Sequence, residues 1–424
     1  MGKKSVLEGR LAGLDILRAV AFFFIPLVHF FMNSGFYSRE ITTPEVIPLL
    51  AIRWISYAGG VPVFIMLTGY LKRKKTVSWS HYKTIIPILV SYLIIATITM
   101  FYSKYVMKVQ ATTYIWIRSI FSFDSPSYAW YVGMYCGLFL LIPFLNNAYN
   151  GLKTKKEKRI FIITMLFLTA IPASINRMVI IQEKPLSLIS PYWKNLLWHL
   201  TYYFIGMYIA DFKPKMDKLM NVILILVCGA YQAVRTYLTG YGQNFYKAVN
   251  AEYNDAITYI VATLVFLLFY DINTEKKSVK AVAYIFSKHS LSAYLISFMV
   301  DNKIYKWLNK PEYIKGEHGY IKFIFPCAIM VALISTLLAY IVEVPSGLIS
   351  KGITSVLDKA VNNKKDKQEE TLQEADTTDD YDDNADTEIT EENGIFSDSQ
   401  INKLLEGGSL DDEIDRFKRD KVNI

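Results

Sequence analysis

Residues 12–33 read Ala-Gly-Leu-Asp-Ile-Leu-Arg-Ala-Val-Ala-Phe-Phe-Phe-Ile-Pro-Leu-Val-His-Phe-Phe-Met-Asn, and this stretch decides the fold. An α-helix rises 1.5 Å per residue, so about 20 apolar residues cross a hydrocarbon core of about 30 Å. The segment is long enough and carries only Asp15, Arg18 and His29 as ionisable side chains. It follows Met-Gly-Lys-Lys but is too long for a signal peptide, is ringed by Phe and lacks an A-x-A site, so it reads as an uncleaved membrane helix.

Nine further runs follow the same rule, near 50–71, 84–102, 129–149, 159–176, 194–211, 217–238, 254–271, 281–301 and 320–343. The 424 residues are 52% hydrophobic and 20% charged with a mean hydropathy of +0.23, richer in apolar residues than soluble chains. The expected fold is all-α and polytopic, with about ten transmembrane helices. No tandem repeat occurs, and only the C-terminal segment is low in complexity.

The net charge of +8 averages two regions, because residues 361–424 hold 8 basic and 20 acidic side chains. This divides the chain into a short N-terminus (1–11), a basic membrane body (12–345) and an acidic tail (346–424) expected to be largely disordered. Residues 366–393 lack apolar surface to bury, and Ile401, Leu404, Leu405, Leu410, Ile414 and Phe417 suggest short amphipathic helices that dock a cytoplasmic protein. The basic residues of the body lie in short clusters between apolar runs, without a nucleic-acid-binding signature, so no nucleic-acid partner is expected. With the N-terminus cytoplasmic, 19 basic residues fall on inner segments and 11 on outer loops, which puts both termini in the cytoplasm of a multi-pass cell-membrane protein. Cys136, Cys228 and Cys327 stand singly and form no metal or redox motif.

An ionisable side chain inside a span is costly and normally faces the bundle interior. Arg18 and His29 are eleven residues apart, which at 100° per residue is three turns plus about 20°, with a rise of about 16.5 Å. Both therefore leave one stripe of the helix. A neutral imidazole takes a proton near neutral pH, and a guanidinium grips a phosphate-bearing donor. Two plainer readings stay open: a packed core histidine, and an Arg18 that pairs with Asp15 or snorkels to headgroups.

Gly59, Gly60 and Pro62 interrupt the second run, and Gly69 allows close approach of a ligand or simply of another helix. Lys72, Arg73, Lys74 and Lys75 form the densest basic cluster of the body, suited to the phosphates of a ligand or to anchoring the span at the headgroups. His199, beside Trp198, lines a cavity or bonds a neighbouring helix. His289 is expected near headgroups, Glu317 and His318 in an outer loop, and Glu343 with Pro345 at the close of the last helix. No HExxH, Walker loop, GxSxG elbow or acidic metal cluster occurs, so no metal is implied.

The stretch Leu14-Asp15-Ile16-Leu17-Arg18-Ala19-Val20-Ala21, with R-x10-H ending at His29, resembles the first helix of the membrane-bound acyltransferase family 3. Gly60-Val61-Pro62-Val63-Phe64-Ile65-Met66-Leu67-Thr68-Gly69-Tyr70-Leu71 is similar to that family's second-helix motif. Trp130-Tyr131 with Gly137 to Leu145, Tyr203 to Tyr208, and Ser292-Ala293-Tyr294-Leu295-Ile296 resemble its fourth, sixth and ninth helices. Thr68 stands where the family usually has Ser, Ser297 where it often has His, and Arg73 among lysines where it often has paired arginines.

The resemblance implies a ten-helix O-acetyltransferase that moves acetyl from cytoplasmic acetyl-CoA to a hydroxyl of a cell-surface or lipid-linked glycan, with no bound cofactor. On this reading His29 is the general base and Arg18 binds the donor or stabilises developing charge. Arg73, Lys72, Lys74, Lys75, Thr68 and Gly69 bind the donor, and Asp15, Trp130, Tyr131, His199 and Tyr294 line the cavity. The alternative from another class is a glycan or glycolipid exporter that uses the same cavity without chemistry.

Overall fold

The computed structural model of the chain describes residues 10–178, 191–245, 253–308 and 316–378. It is built of helices: α1 (Ala12–Asn33), α2 (Ile47–Gly59), α3 (Val61–Lys72), α4 (Trp79–Tyr82), α5 (Ile86–Tyr105), α6 (Thr113–Phe121), α7 (Trp130–Gly151), α8 (Lys155–Met178), α9 (Pro191–Phe212), α10 (Lys218–Gly240), α11 (Ala256–Phe269), α12 (Lys277–Leu308) and α13 (Gly316–Thr378). Among the described residues there is no β-strand, only isolated bridges from Glu40 and Ile41 to Asn244 and Tyr241. The all-α expectation holds, and each of the ten expected spans falls on a helix or, for the second, on the α2–α3 pair.

Among the described residues, seven helical stretches are long and apolar enough to cross a membrane: Ala12–Asn33, Pro44–Lys72, Trp79–Tyr105, Ser127–Gly151, Lys155–Ile175, Lys218–Gly240 and His318–Asn363. The other three helices depart for separate reasons. α11 has only 14 residues, whereas α9 and α12 are long enough but too polar. The buried face of α12 carries Ser287, His289, Ser290, Ser292, Ser297 and Asp301, so its polar residues turn into the protein rather than toward lipid.

The break in the second span sits at Gly60, whose φ of −85° and ψ of −106° leave the helical region, with Pro62 in the first turn of α3 where its missing N–H costs nothing. α1 packs along α12, α2 along α10 and α3 along α9. The α3–α9 contact is backbone on backbone. A Cβ at Gly69 would lie 2.0 Å from the carbonyl oxygen of Tyr203, and one at Gly206 2.0 Å from that of Met66. No side chain fits there, which is the small-residue packing that brings membrane helices together. Gly69 therefore faces the neighbouring helix, the second of its two expected roles.

The last helix corrects two expectations. Glu343 and Pro345 do not end it, since α13 runs through both to Thr378. Proline removes one backbone hydrogen bond, but contacts further along hold the chain helical. Ser346 Oγ lies 2.6 Å from Ser91 Oγ, and Asp358 accepts hydrogen bonds from Trp79 Nε1 at 2.6 Å and Lys83 Nζ at 3.2 Å. Residues 366–378, expected to stay unstructured, continue this helix, as their Lys, Gln, Glu and Leu content favours. The chain divides after Asp358 into two units, the second being Lys359–Ile424. The amphipathic segments expected over 401–417 lie outside the described residues.

Candidate active site

His29 projects from α1 and is 6% exposed. Its Nδ1 lies 3.0 Å from Asp301 Oδ2 on α12. Tyr128, just before α7, donates to the same oxygen at 2.9 Å. Asn33, one turn beyond His29, donates through Nδ2 to the His29 carbonyl at 2.9 Å and to Tyr128 Oη at 3.0 Å. The Tyr128 hydroxyl thus accepts from Asn33 and donates to Asp301, which fixes its rotor. A carboxylate at Nδ1 holds the proton on that nitrogen, so Nε2 presents its lone pair. Nε2 makes no hydrogen bond among the described residues. The histidine ring stands 3.9 Å from the Tyr128 ring and 6.0 Å from that of Tyr294, whose hydroxyl donates to the Tyr128 carbonyl at 2.5 Å.

Nearer the start of α1, Arg18 donates through Nη1 to Ser287 Oγ at 3.3 Å, and Ser287 donates to Asp15 Oδ1 at 2.7 Å. Asp15 does not form an ion pair with Arg18. It receives two hydrogen bonds from Arg10, from Nε at 2.8 Å and from Nη2 at 2.6 Å, a fork that satisfies the carboxylate and leaves Arg18 without a direct counter-charge among the described residues. The eleven-residue register is realised in space. Arg18 faces residue 287 and His29 faces residue 301 of the same helix, so α1 and α12 run in parallel with both side chains between them.

The basic cluster lies at the far end of α3. Asn146 donates to the carbonyls of Lys72 at 2.8 Å and Lys75 at 2.7 Å and accepts from Tyr203 Oη at 2.7 Å, satisfying carbonyls that the helix end leaves open. Lys72 Nζ stands 4.6 Å from the centre of the Phe139 ring. Arg73 donates to the Tyr70 carbonyl at 2.7 Å and approaches Asp211 at 3.5 Å, so part of its fork is already engaged. Lys74 and Lys75 are exposed, with no side-chain partner among the described residues. Thr68 Oγ1 donates to the Phe64 carbonyl at 3.0 Å, an intrahelical bond.

Of the expected cavity residues, Tyr294 joins His29 directly, Tyr131 is buried with its ring 6.1 Å from that of Tyr294, and Asp15 reaches Arg18 through Ser287. Trp130 is 40% exposed and lies against Tyr253, 6.1 Å between centroids. His199 is half-buried beside Trp198, without a hydrogen bond among the described residues. His289 is buried in the protein, with Nδ1 2.5 Å from Glu343 Oε2. Ser297 donates to the Tyr294 carbonyl at 2.7 Å on its own helix. Among the described residues no group of His, Cys, Asp and Glu is placed to hold a metal.

Sequence reasoning missed Asp301, Tyr128, Asn33 and Ser287. Asp301 carried a signal, as the last residue of the 281–301 span and a carboxylate at membrane depth. Tyr128 carried none, since it lies outside a span and matters only because α7 begins beside α1 and α12.

No curated protein and no solved structure matches the chain. A family model described as an acyltransferase domain matches residues 11–342, from just before α1 into α13, and so takes in Arg18, His29, the basic cluster and Asp301. The chain belongs to the acyltransferase-3 family, and is a membrane acyltransferase.

Proposed function

We propose that the protein transfers acetyl from cytoplasmic acetyl-CoA to a hydroxyl of a cell-surface or lipid-linked glycan, with His29 as general base. The observation that carries this reading is the His29–Asp301 pair, whose carboxylate orients Nδ1 and leaves Nε2 free. Nε2 takes the proton of the acceptor hydroxyl as that oxygen attacks the thioester carbonyl, and Asp301 stabilises the imidazolium that forms. The proton then passes to the departing coenzyme A thiolate, which leaves His29 neutral for the next cycle.

Arg18 suits the donor rather than the reacting carbon. Eleven helical residues set it about 16.5 Å along α1 from His29, too far for its guanidinium to reach an oxyanion beside the imidazole. It can bind a phosphate while the extended pantetheine arm carries the thioester toward His29. Lys74 and Lys75, free at the same end of the bundle, attract the remaining phosphates. In this arrangement ten spans place both termini in the cytoplasm, the cluster at the inner face and the dyad toward the outer one.

The test is transfer of labelled acetyl from acetyl-CoA enclosed in vesicles to glycan outside. Labelled glycan requires the intact dyad. Passage of unmodified glycan, with no acetylated product, removes the acyltransfer reading in favour of export.

A further inference from the structure

Arg53, on the second turn of α2, is 4% exposed and lies at the end of the bundle where α1 finishes. A guanidinium has five N–H donors. Among the described residues only Nε–H is engaged, by Tyr37 Oη at 3.2 Å, and Nη1 is buried with no partner. No carboxylate among the described residues pairs with it. Rings enclose it instead: Cζ stands 4.5 Å from the centre of Tyr57, 4.6 Å from Trp54 and 5.3 Å from Phe245. Aromatic faces offset part of the cost of burying the charge but accept none of the in-plane N–H groups. A desolvated, unpaired fork of this kind matches a carboxylate or phosphate, which takes two parallel hydrogen bonds.

The cage connects to the dyad through a chain of ring contacts. Tyr57 lies on Tyr253 at 4.3 Å with 4° between planes, and Tyr253 also meets Trp198 at 5.0 Å. Tyr253 also meets Trp130 at 6.1 Å, Trp130 meets Tyr131 at 6.2 Å, Tyr131 meets Tyr294 at 6.1 Å, and the Tyr294 ring is 6.0 Å from that of His29. These rings occupy one another's faces, so they wall the cage and leave the guanidinium as its recognition group.

We propose that Arg53, with the Tyr57–Tyr253 stack, forms an acceptor subsite that recognises an anionic group, carboxylate or phosphate, borne by the sugar whose hydroxyl reacts at His29. The proposal rests on the acyltransfer reading for the words "acceptor" and "reacts", but not for the anion preference itself. Binding and transfer therefore have to be measured separately. The full-length protein in detergent is titrated with a disaccharide ending in glucuronate, the same disaccharide ending in glucose, and glucose 1-phosphate. Wild type is expected to bind at least one charged probe about tenfold more tightly than the neutral one, the loss of a charge-assisted contact. The glucuronate arm identifies a sugar acid and the phosphate arm a phosphorylated or lipid-linked sugar.

Arg53→Gln should bring charged and neutral probes to within about twofold of each other, whereas Arg53→Lys, which keeps the charge, should retain part of the preference and reports even if the glutamine variant does not fold. Equal binding of charged and neutral probes by wild type overturns the subsite, as does an equal loss of all three in a folded Arg53→Gln protein. A charge preference in a protein that transfers no labelled acetyl leaves the anion subsite standing and removes the acyltransfer reading instead.

Discussion

His29 meets Asp301 toward the C-terminal end of α12 at 3.0 Å, and His289 meets Glu343 toward its N-terminal end at 2.5 Å. The shorter contact belongs to the simpler arrangement. Glu343 has a side chain 22% exposed and, among the described residues, only His289 as a polar partner, with Tyr340 edge-on to the imidazole at 5.8 Å. Asp301 has a side chain only 1% exposed and is also held by Tyr128, which is itself set by Asn33. A histidine beside a carboxylate is therefore not in itself a reaction centre. Two charges brought together inside a bundle can simply make burial tolerable. Both histidines leave Nε2 without a hydrogen bond among the described residues, so what distinguishes the His29 pair is the ring of partners around its carboxylate.

His29→Ala should lower acetyl transfer by about 10³-fold, within the span lost with a general base, while the protein still inserts. His289→Ala should cost less than about tenfold. Equal losses in labelled-acetyl assays would break the comparison. Asp301→Asn keeps the shape but removes the charge that stabilises the imidazolium, and should lower kcat by about 10²-fold with little change in donor KM. A loss smaller than that of Glu343→Gln would reverse the roles given to the two carboxylates.

Arg18→Lys retains the charge and loses the planar fork, so donor KM should rise about tenfold with kcat affected less. A purely kcat effect would place Arg18 at the reacting carbon after all. Replacing both Lys74 and Lys75 with Gln should raise donor KM about threefold at low ionic strength and leave it unchanged in high salt, because exposed charges act over a screened distance. Persistence of the effect in high salt would require contacts closer than two exposed lysines make. The smallest effect is expected from ending the chain after Asn363, which keeps Asp358 with Trp79 and Lys83 and should leave transfer within about twofold of wild type.

Much of this region was visible in the chain before folding. The helices follow from apolar runs, because a backbone in lipid must satisfy its own hydrogen bonds. The break at Gly60 follows from two glycines and a proline, and the common stripe of Arg18 and His29 follows from helical periodicity alone. The extent of α13 was misjudged because a proline reads locally as a stop, whereas Ser91, Trp79 and Lys83, more than 250 residues away in sequence, hold the turns beyond it. The pairing of Asp15 with Arg18, one of the plainer readings left open, is not realised for a related reason. Spacing along a helix favours Arg18, but the fork of Arg10 reaches the carboxylate from before the first turn.

By itself, then, the sequence determined an all-helical membrane protein with a guanidinium and an imidazole on one face of its first helix, since composition and a fixed rotation per residue are local properties. Only the tertiary structure decided what that face meets. Asp301 and Ser287 lie some 270 residues downstream, Tyr128 enters from a third element, and Arg53 is caged by rings from separate segments. None of these pairings has a spacing that a linear pattern records, because side chains so distant are neighbours only once the helices have packed.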